Sequence, residues 1–509
     1  EAKRFINDQV PSADEAIEGA KDIIAEQINE KASVRQYLRY VLSYSGFLKS
    51  KVVKKKKKEA EKYETYFDFS RPVRKVQSHQ LLAMMRAQKE GFLRIKIEID
   101  EDRALMEILK KHVKGGVGGA RQLIFEAAKD ALKRLLLPSI ENEVLNLAKE
   151  EADREAIEVF EKNLKDLLLA PPLGNQWILG IDPGFRTGCK VVVLNETGQL
   201  VDKANIFPHP PQEKKEDSAD TVLQLLDKYP IQAVAIGNGT AGKETYHWLK
   251  KILPEERETG LFFVNENGAS VYSASDLARE EFPDEDVTVR GAISIGRRLM
   301  DPLSELIKID PKSIGVGQYQ HDVNQKLLRE KLEQTVEWCV HQVGVELNTA
   351  SARLLQHVSG LGPALAENIV KYRAENGHFS SRKELKKVDR LGDKAFEQAA
   401  GFLRIRDAAN PLDNTAVHPE RYDLVVQIAR DAGLNLEQLV RNEEALKLID
   451  WQRYIDNETC TDTLKDIRLE LLKPGRDPRG KAREITFEEE LQDISDLEPG
   501  MVVKGVVNN

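Results

Sequence analysis

Apolar positions recur at helical spacing over most of the first 170 residues. Ser12, with Glu15 three positions on, forms a capping-box pattern that leads into Ile17, Ala20, Ile24 and Ile28. The same periodicity, with few breakers, returns over 103–113, 120–137 and 140–169, and Gly115, Gly116, Gly118 and Gly119 mark a joint between two of these stretches. One segment departs from it. Over 91–99, Phe92, Arg94, Lys96 and Glu98 alternate with Leu93, Ile95, Ile97 and Ile99, which predicts a short strand. The breaker Ala170-Pro171-Pro172-Leu173-Gly174-Asn175 then ends the helical pattern. Short apolar runs follow at 177–181, 189–194, 200–207, 233–236 and 261–264, with a turn at Glu196-Thr197-Gly198 and a helix over about 219–228. Two hairpin-connected strands, a helix and further strands predict a mixed α/β sheet. From about Asp286 to about Lys473 the pattern is again helical, and 496–507 is a turn and a β-rich strand.

A chain of 509 residues exceeds what one hydrophobic core supports. The expected architecture is multidomain and mostly α with one α/β domain. It comprises a helical region over 1–170, a mixed-sheet domain over 176–315, a helical segment with tandem hairpins over 316–406, a further helical segment over 407–490, and a strand-rich start at 491–509. Charged residues reach 31%, which suits long solvated helices. No apolar run approaches a membrane span and no leader pattern opens the chain, so a cytoplasmic protein with no membrane partner is expected. Cys189, Cys339 and Cys460 are too few and too scattered for a disulfide framework or a zinc site. The net charge of −8 excludes a uniformly basic coat but not local basic patches. Lys51 and the run Lys54–Lys58 invite a nucleic-acid reading, against which stands a solvated helix face offset by Glu59 and Glu61. The chain opens on Glu1 and closes on what looks like a strand cut short, so a piece of a longer protein is expected.

The run Ile178-Leu179-Gly180-Ile181-Asp182-Pro183-Gly184 places an acid at the end of a buried strand, and Phe185-Arg186-Thr187-Gly188 leads into the next. This strand–Asp–turn–strand arrangement resembles the first strand pair of ribonuclease-H-like folds, in their YqgF branch. In active members of that fold several carboxylates bind a pair of divalent cations, and two such ions need about three or four acids between them. Here Gly237-Asn238-Gly239-Thr240 offers no acid at the tip of its strand. Glu266 can face Asp182 across the sheet. The helix position matched to a last acid holds Arg290, Asp286 precedes that helix, and Asp301 lies roughly 16 Å beyond Arg290. An arginine beside two acids favours an ion pair over a metal. Asp182 and Glu266 are therefore vestigial candidates in a domain expected to be inactive, with no cofactor and no metal. The alternative is a metal-dependent nuclease or resolvase that uses Mg²⁺.

The sharpest local signal runs from Leu355 to Val370. Val358-Ser359-Gly360-Leu361-Gly362-Pro363-Ala364 places two glycines where positive φ and close backbone approach are needed, packs Leu361 inward, and sets Pro363 in the first turn of a helix. The unpaired amides and dipole of that helix start suit a phosphate. This is the pattern of a helix-hairpin-helix unit. A second copy follows at Val388-Asp389-Arg390-Leu391-Gly392-Asp393-Lys394, with Arg390 in place of the first glycine. Between His341 and Arg406 there are 11 Lys and Arg against 7 acids, a local excess of +4. The binding residues expected are Ser359, Gly360, Leu361, Gly362 and Ala364, then Gly392 and Lys394, with Lys371, Arg373, Lys386 and Lys387 as nearby cations. Contacts of this kind position a nucleic-acid backbone without specifying sequence.

The order of these parts resembles a known family. The segments Ile181-Asp182-Pro183-Gly184, Phe207-Pro208-His209-Pro210-Pro211, Gly237-Asn238-Gly239-Thr240, Val271-Tyr272-Ser273-Ala274-Ser275 and Gly401-Phe402-Leu403-Arg404-Ile405, with the long string Ile309–Asp322, are similar to the bacterial Tex family of transcription accessory proteins. Tyr66-Phe67-Asp68-Phe69-Ser70 and Lys89-Glu90-Gly91 fit the same family, so the resemblance spans essentially the whole chain. It implies a helical N-terminal region, a YqgF-type domain, a double hairpin and a C-terminal OB-fold RNA-binding domain that Leu497–Val507 would open. It also implies DNA or RNA as partner, with the transcription machinery, and a transcription-associated scaffold that grips nucleic acid.

Overall fold

The computed structural model describes residues 2–112, 120–254, 257, 259–406, 408–455, 459–480 and 482. The glycine joint at 115–119 and the strand-rich start at 491–509 lie outside the described residues. The chain separates into two compact units, Glu1–Phe160 with Gly317–Leu328, and Glu161–Val316 with Arg329–Asn509. No helix among the described residues is long and apolar enough to cross a membrane.

The first unit opens with α1 (Ala13–Glu30), capped by Ser12, whose hydroxyl accepts from the Glu15 amide. It continues through α2 (Ala32–Tyr44), β1 (Phe47–Val52), β2 (Asp68–Pro72), α3 (Ser78–Lys89), β3 (Leu93–Glu98), α4 (Glu101–His112) and α5 (Ala120–Asp130). Next, α6 (Leu137–Leu168) follows a single wide π turn at Ala131–Leu136. That turn lies just ahead of Pro138, whose ring would crowd the preceding turn of a regular helix. The strand predicted over 91–99 is present as β3, but it has partners the pattern did not reveal. β1 pairs antiparallel with both β2 and β3, giving the order β2-β1-β3. The lysine run is therefore not a helix face: Lys51 lies on β1 and Lys54–Lys56 form a 3₁₀ turn. β1 is half lysine and serine, so its alternation is carried by Leu48 and Ser50 inside against Phe47, Lys49 and Lys51 outside.

The second unit is built on a five-stranded sheet of order β6-β5-β4-β7-β8, comprising β4 (Ile178–Asp182), β5 (Cys189–Leu194), β6 (Leu200–Ile206), β7 (Ala233–Gly237) and β8 (Gly260–Val264). β4–β5 and β5–β6 are antiparallel, and β4–β7 and β7–β8 parallel. Helices α7 (Lys215–Lys228) and α8 (Gly242–Ile252) join these strands, and Val222, Leu225, Tyr246 and Leu249 from them cover Leu179, Ile181, Val191 and Val234 on one face. Short helices α9 (Ala269–Ala274) and α10 (Asp276–Glu281) precede α11 (Val287–Met300), which seals the other face through Ala292, Ile293 and Ile295. α11 sits close to β4 because Gly180 meets it: a Cβ on Gly180 would lie 2.8 Å from the Ala292 carbonyl oxygen.

The chain continues through α12 (Pro302–Leu306), α13 (Gln325–Val343), β9 (Val345–Glu346), α14 (Ala352–Leu355), α15 (Pro363–Asn376), α16 (Asp393–Ala399) and β10 (Leu403–Arg404), which pairs with β9 in parallel. A final helical module follows with its own core of Leu412, Val417, Val425, Ile428, Leu439 and Leu471.

Candidate nucleic-acid interface

Asp182 ends β4, and Glu266 stands two residues beyond β8. Two glycines at the intervening strand tip make room for the second acid. A Cβ on Gly237 would lie 2.7 Å from Glu266 Oε2, and one on Gly239 would overlap the carboxylate. Burial, then the Glu266 carboxylate, pushes the Asp182 carboxyl up to about 6, with Lys190 opposing. The two acids thus share one electrostatic site, as their strand positions suggest.

The remaining residues depart from expectation. Arg290 pairs with neither acid: its Nε and Nη2 donate to the Phe282 carbonyl at 3.0 and 2.8 Å. Helical rotation instead turns Gly291 towards the site, its Cβ position 3.1 Å from Asp182 Oδ2. Farther along α11, burial pushes the pKa of Arg298 down against the opposing pull of Glu305 and Glu266, and its Nη1 is committed to the carbonyls of Asn265 and Asn267. Asp286 is consumed as the cap of α11, where Oδ1 accepts from the amides of Thr288 and Val289. Asp301 caps α12 and pairs with Arg479 at 2.5 Å. Among the described residues no three His, Cys, Asp or Glu side chains converge to hold a metal. A two-ion centre does not fit a donor set of two.

The raised Asp182 carboxyl has a thermodynamic consequence. Its folded value lies above the ordinary 3.8, so ionisation opposes folding as pH rises through that interval, and the opposition is complete above about pH 6. Asp182→Asn is expected to stabilise the second unit at pH 8 by about 3 kcal/mol, and to change little near pH 4. Thermal unfolding of both proteins at the two pH values checks this. An Asn variant that is less stable at pH 8 contradicts it.

The hairpins are related by a strict offset. Val358, Gly360, Leu361, Gly362 and Asn368 recur as Val388, Arg390, Leu391, Gly392 and Gln398, thirty positions on. Their backbones repeat as well. The Leu361 amide donates to the Val358 carbonyl at 3.0 Å and that of Leu391 to Val388 at 3.1 Å; Ala366 reaches Gly362 at 3.1 Å, and Phe396 reaches Gly392 at 3.0 Å. Each helix also touches the other hairpin's turn. Asn368 on α15 donates to the Asp389 carbonyl at 3.0 Å, while Gln398 on α16 packs beside Gly360. This is the pseudo-twofold arrangement of a tandem helix-hairpin-helix.

Arg390 does not break the second turn. It adopts φ +62°, in the same left-handed region as Gly360 at φ +80°. Its side chain is 80% exposed and only loosely paired with Asp389, at 3.8 Å. The position therefore keeps the hairpin geometry and adds a cation at its tip.

The expected binding residues divide into those open to a ligand and those already committed. The amide of Ser359 donates to His341 Nε2 at 3.0 Å and that of Leu361 is internal, so neither is available to a ligand. His341 is neutral in this role: burial pushes its pKa down, and the ring stacks on Phe402 at 3.9 Å. Gly362 and Gly392 face open space. Behind Gly362, Pro363 and Ala364 begin the 14-residue α15, whose first-turn amides have no intrahelical acceptor. The start of α16 is different, because Asp393 sits in its first turn and holds Lys386 at 2.6 Å. Lys387 pairs with Glu384 at 3.1 Å, and Lys371 with Glu375 at 3.9 Å. Arg373 is structural: its Nη1 donates to the Leu347 carbonyl at 2.8 Å. Lys394 is exposed and, among the described residues, has no partner. Sequence reasoning missed that Arg390 keeps the left-handed turn of Gly360 and that Asn368 and Gln398 are equivalent, although the thirty-residue register carries both.

Four family models match successive parts of the chain. Residues 1–160 match a family model described as Tex central region-like, 176–300 one for a Tex protein YqgF-like domain, 340–404 a helix-hairpin-helix motif, and 410–479 an HHH domain. The transcriptional accessory protein Tex of Neisseria gonorrhoeae is 44% identical over 517 residues, covering 100% of this chain and 68% of that protein. Bacillus subtilis YdcI is 44% identical over 518 residues, covering 100% and 72%. The human S1 RNA-binding domain-containing protein 1 is 30% identical over 566 residues, covering 96% of this chain and 56% of its own length.

Proposed function

The chain belongs to the Tex family of transcriptional accessory proteins, and from that membership and the paired hairpins we propose that it binds a nucleic-acid backbone without reading its sequence, in a transcription-associated role. The observation that carries the reading is the pseudo-twofold pair itself, which presents the open start of α15 beside the exposed cations Arg390 and Lys394. The first hairpin contributes the amides of Gly362 and Ala364 as anion donors. The second contributes side-chain charge, since Asp393 already occupies its helix start. Backbone amides and exposed cations of this kind meet phosphate oxygens, so the contacts are expected to position rather than specify. Two duplexes of unrelated sequence are expected to bind within about threefold of each other; a preference of about 10³ or more, the range of specific readers, overturns the reading.

Under this proposal the sheet domain is a scaffold without nuclease chemistry. The coupling of Asp182 to Glu266 is the one observation that favours the opposite. Incubation with branched DNA, duplex DNA and RNA in Mg²⁺ or Mn²⁺ separates the two: no cleavage is expected, and cleavage lost in Asp182→Asn would establish the nuclease.

A further inference from the structure

The first unit carries a charged surface that the hairpin reading does not use. The outer face of its three-stranded sheet is read directly from the register. Lys49 lies opposite Lys96, and Lys51 opposite Arg94. Like charges directly across antiparallel strands destabilise a sheet. Two acids share this face: Glu98 pairs with Lys49 at 2.5 Å and is held below the ordinary carboxylate range by Lys49 first and by Lys96 and Lys51 as well, and Asp68 lies opposite Lys51 on β2. Lys51, Arg94 and Lys96 are exposed, and β1 ends directly in the turn that bears Lys54 and Lys55, also exposed. At the other end of β1 the surface turns aromatic. Phe47 is exposed, and Tyr40 and Tyr44, more than half exposed on α2, stack at 4.7 Å. Tyr40, Phe47, Lys49 and Ser70 line one open groove of about 700 Å³. Asp100, in the same groove, is turned to the amide of Arg103.

We propose that this sheet face and the tyrosine pair beside it form a second nucleic-acid site, one that takes a single strand. Phosphates lie along Lys51, Arg94 and Lys96, and unstacked bases lie against Tyr40 and Phe47. Four cations in register against two acids leave a net positive face suited to a polyanion, and exposed flat rings give bases a stacking surface that a duplex cannot use. An acidic protein segment would be served by the cations without the rings.

The test uses the full chain, with labelled oligo-dT, oligo-U and a duplex titrated at two salt concentrations. Lys51→Glu with Lys96→Glu is expected to weaken single-strand binding at least tenfold and to flatten its salt slope by about 1.4. This variant places Glu opposite Arg94 and Lys49 and also opposite Asp68, so the cross-strand changes offset and its thermal stability should hold, which separates lost binding from lost folding. Tyr40→Ala with Tyr44→Ala is expected to cost single-strand affinity about fivefold or more and leave the duplex within twofold. Unchanged single-strand affinity and slope in the charge variant overturn the site. So does wild-type binding of poly-glutamate as tight as that of oligo-dT with no effect of the tyrosines, which would assign the face to an acidic protein. The site does not rest on the hairpins: an Arg390→Glu, Lys394→Glu variant should lose duplex binding and keep this one.

Discussion

Replacing Arg382 by Met is expected to destabilise the second unit by about 3–5 kcal/mol, the cost of removing one partner from a buried charge network. Arg382 is fully buried at the start of the 3₁₀ turn that precedes the second hairpin. Its Nη1 donates to the Val417 carbonyl at 2.8 Å and to the Tyr422 hydroxyl at 3.0 Å, and its Nη2 to the Thr415 carbonyl. Its own amide donates to Asp413 Oδ2, and the Tyr422 hydroxyl donates to Asp413 Oδ1 at 2.7 Å. The guanidinium thus joins the hairpin pair to the helical module that follows. Met matches the stem but leaves Asp413 without its cation and two carbonyls without donors. Lys should rescue little, because one ammonium cannot reproduce a planar fork aimed at three acceptors. Urea unfolding followed by a probe in this unit measures the effect; a loss below about 1 kcal/mol would mean that the network is not what joins the two parts.

Gly360→Ala and Arg390→Gly, at equivalent positions, are expected to change stability in opposite directions. At Gly360, φ is +80°, and a new Cβ would meet Gln398 Cβ at 2.9 Å and the Ala395 carbonyl oxygen at 3.1 Å. Left-handed strain contributes about 1–2 kcal/mol and the contact about 1–3 kcal/mol, since a helix carbonyl cannot swing aside as Gln398 can. A loss of about 3 kcal/mol is expected, with duplex affinity down more than tenfold as α15 and α16 are forced apart. At Arg390 the strain already exists, at φ +62° with an exposed side chain. Glycine should stabilise this turn by about 1 kcal/mol and still weaken binding severalfold, because a charge leaves the hairpin tip. Thermal unfolding and anisotropy on the same two proteins check both. An Arg390→Gly protein that is more stable and binds equally well would make the arginine an accident of the turn.

Much of this was legible where one residue type answers one physical need. Asp182 at a strand end, Gly360 at φ +80° before an inward leucine, and Pro363 at a helix start stand where the pattern placed them; Gly362 does not need the positive φ expected of it, since it adopts φ −55° with open space at its Cβ position. The mixed sheet followed from the change in period after Pro172. What escaped depended on partners distant in sequence. β1 and β2 hide in the first region because their inner faces offer little apolar alternation, and only pairing with β3 makes them strands. Arg290 looked like a ligand for the acids because its neighbour on the helix points at Asp182; one residue is a rotation of about 100°, beyond the resolution of a pattern. Arg382 gave no signal, since a buried arginine and a solvated one look alike until Asp413 and Tyr422 close around it.

The central claim is that charge and amides at the hairpin tips hold a phosphate backbone. It is tested most directly by the salt dependence of duplex binding in the full chain and in its Arg390→Glu, Lys394→Glu variant. Each lost phosphate contact reduces the slope of log K against log salt by about 0.9. The slope is expected to flatten by about two in the variant, with sequence tolerance unchanged; an identical slope in the two proteins would place the nucleic acid elsewhere.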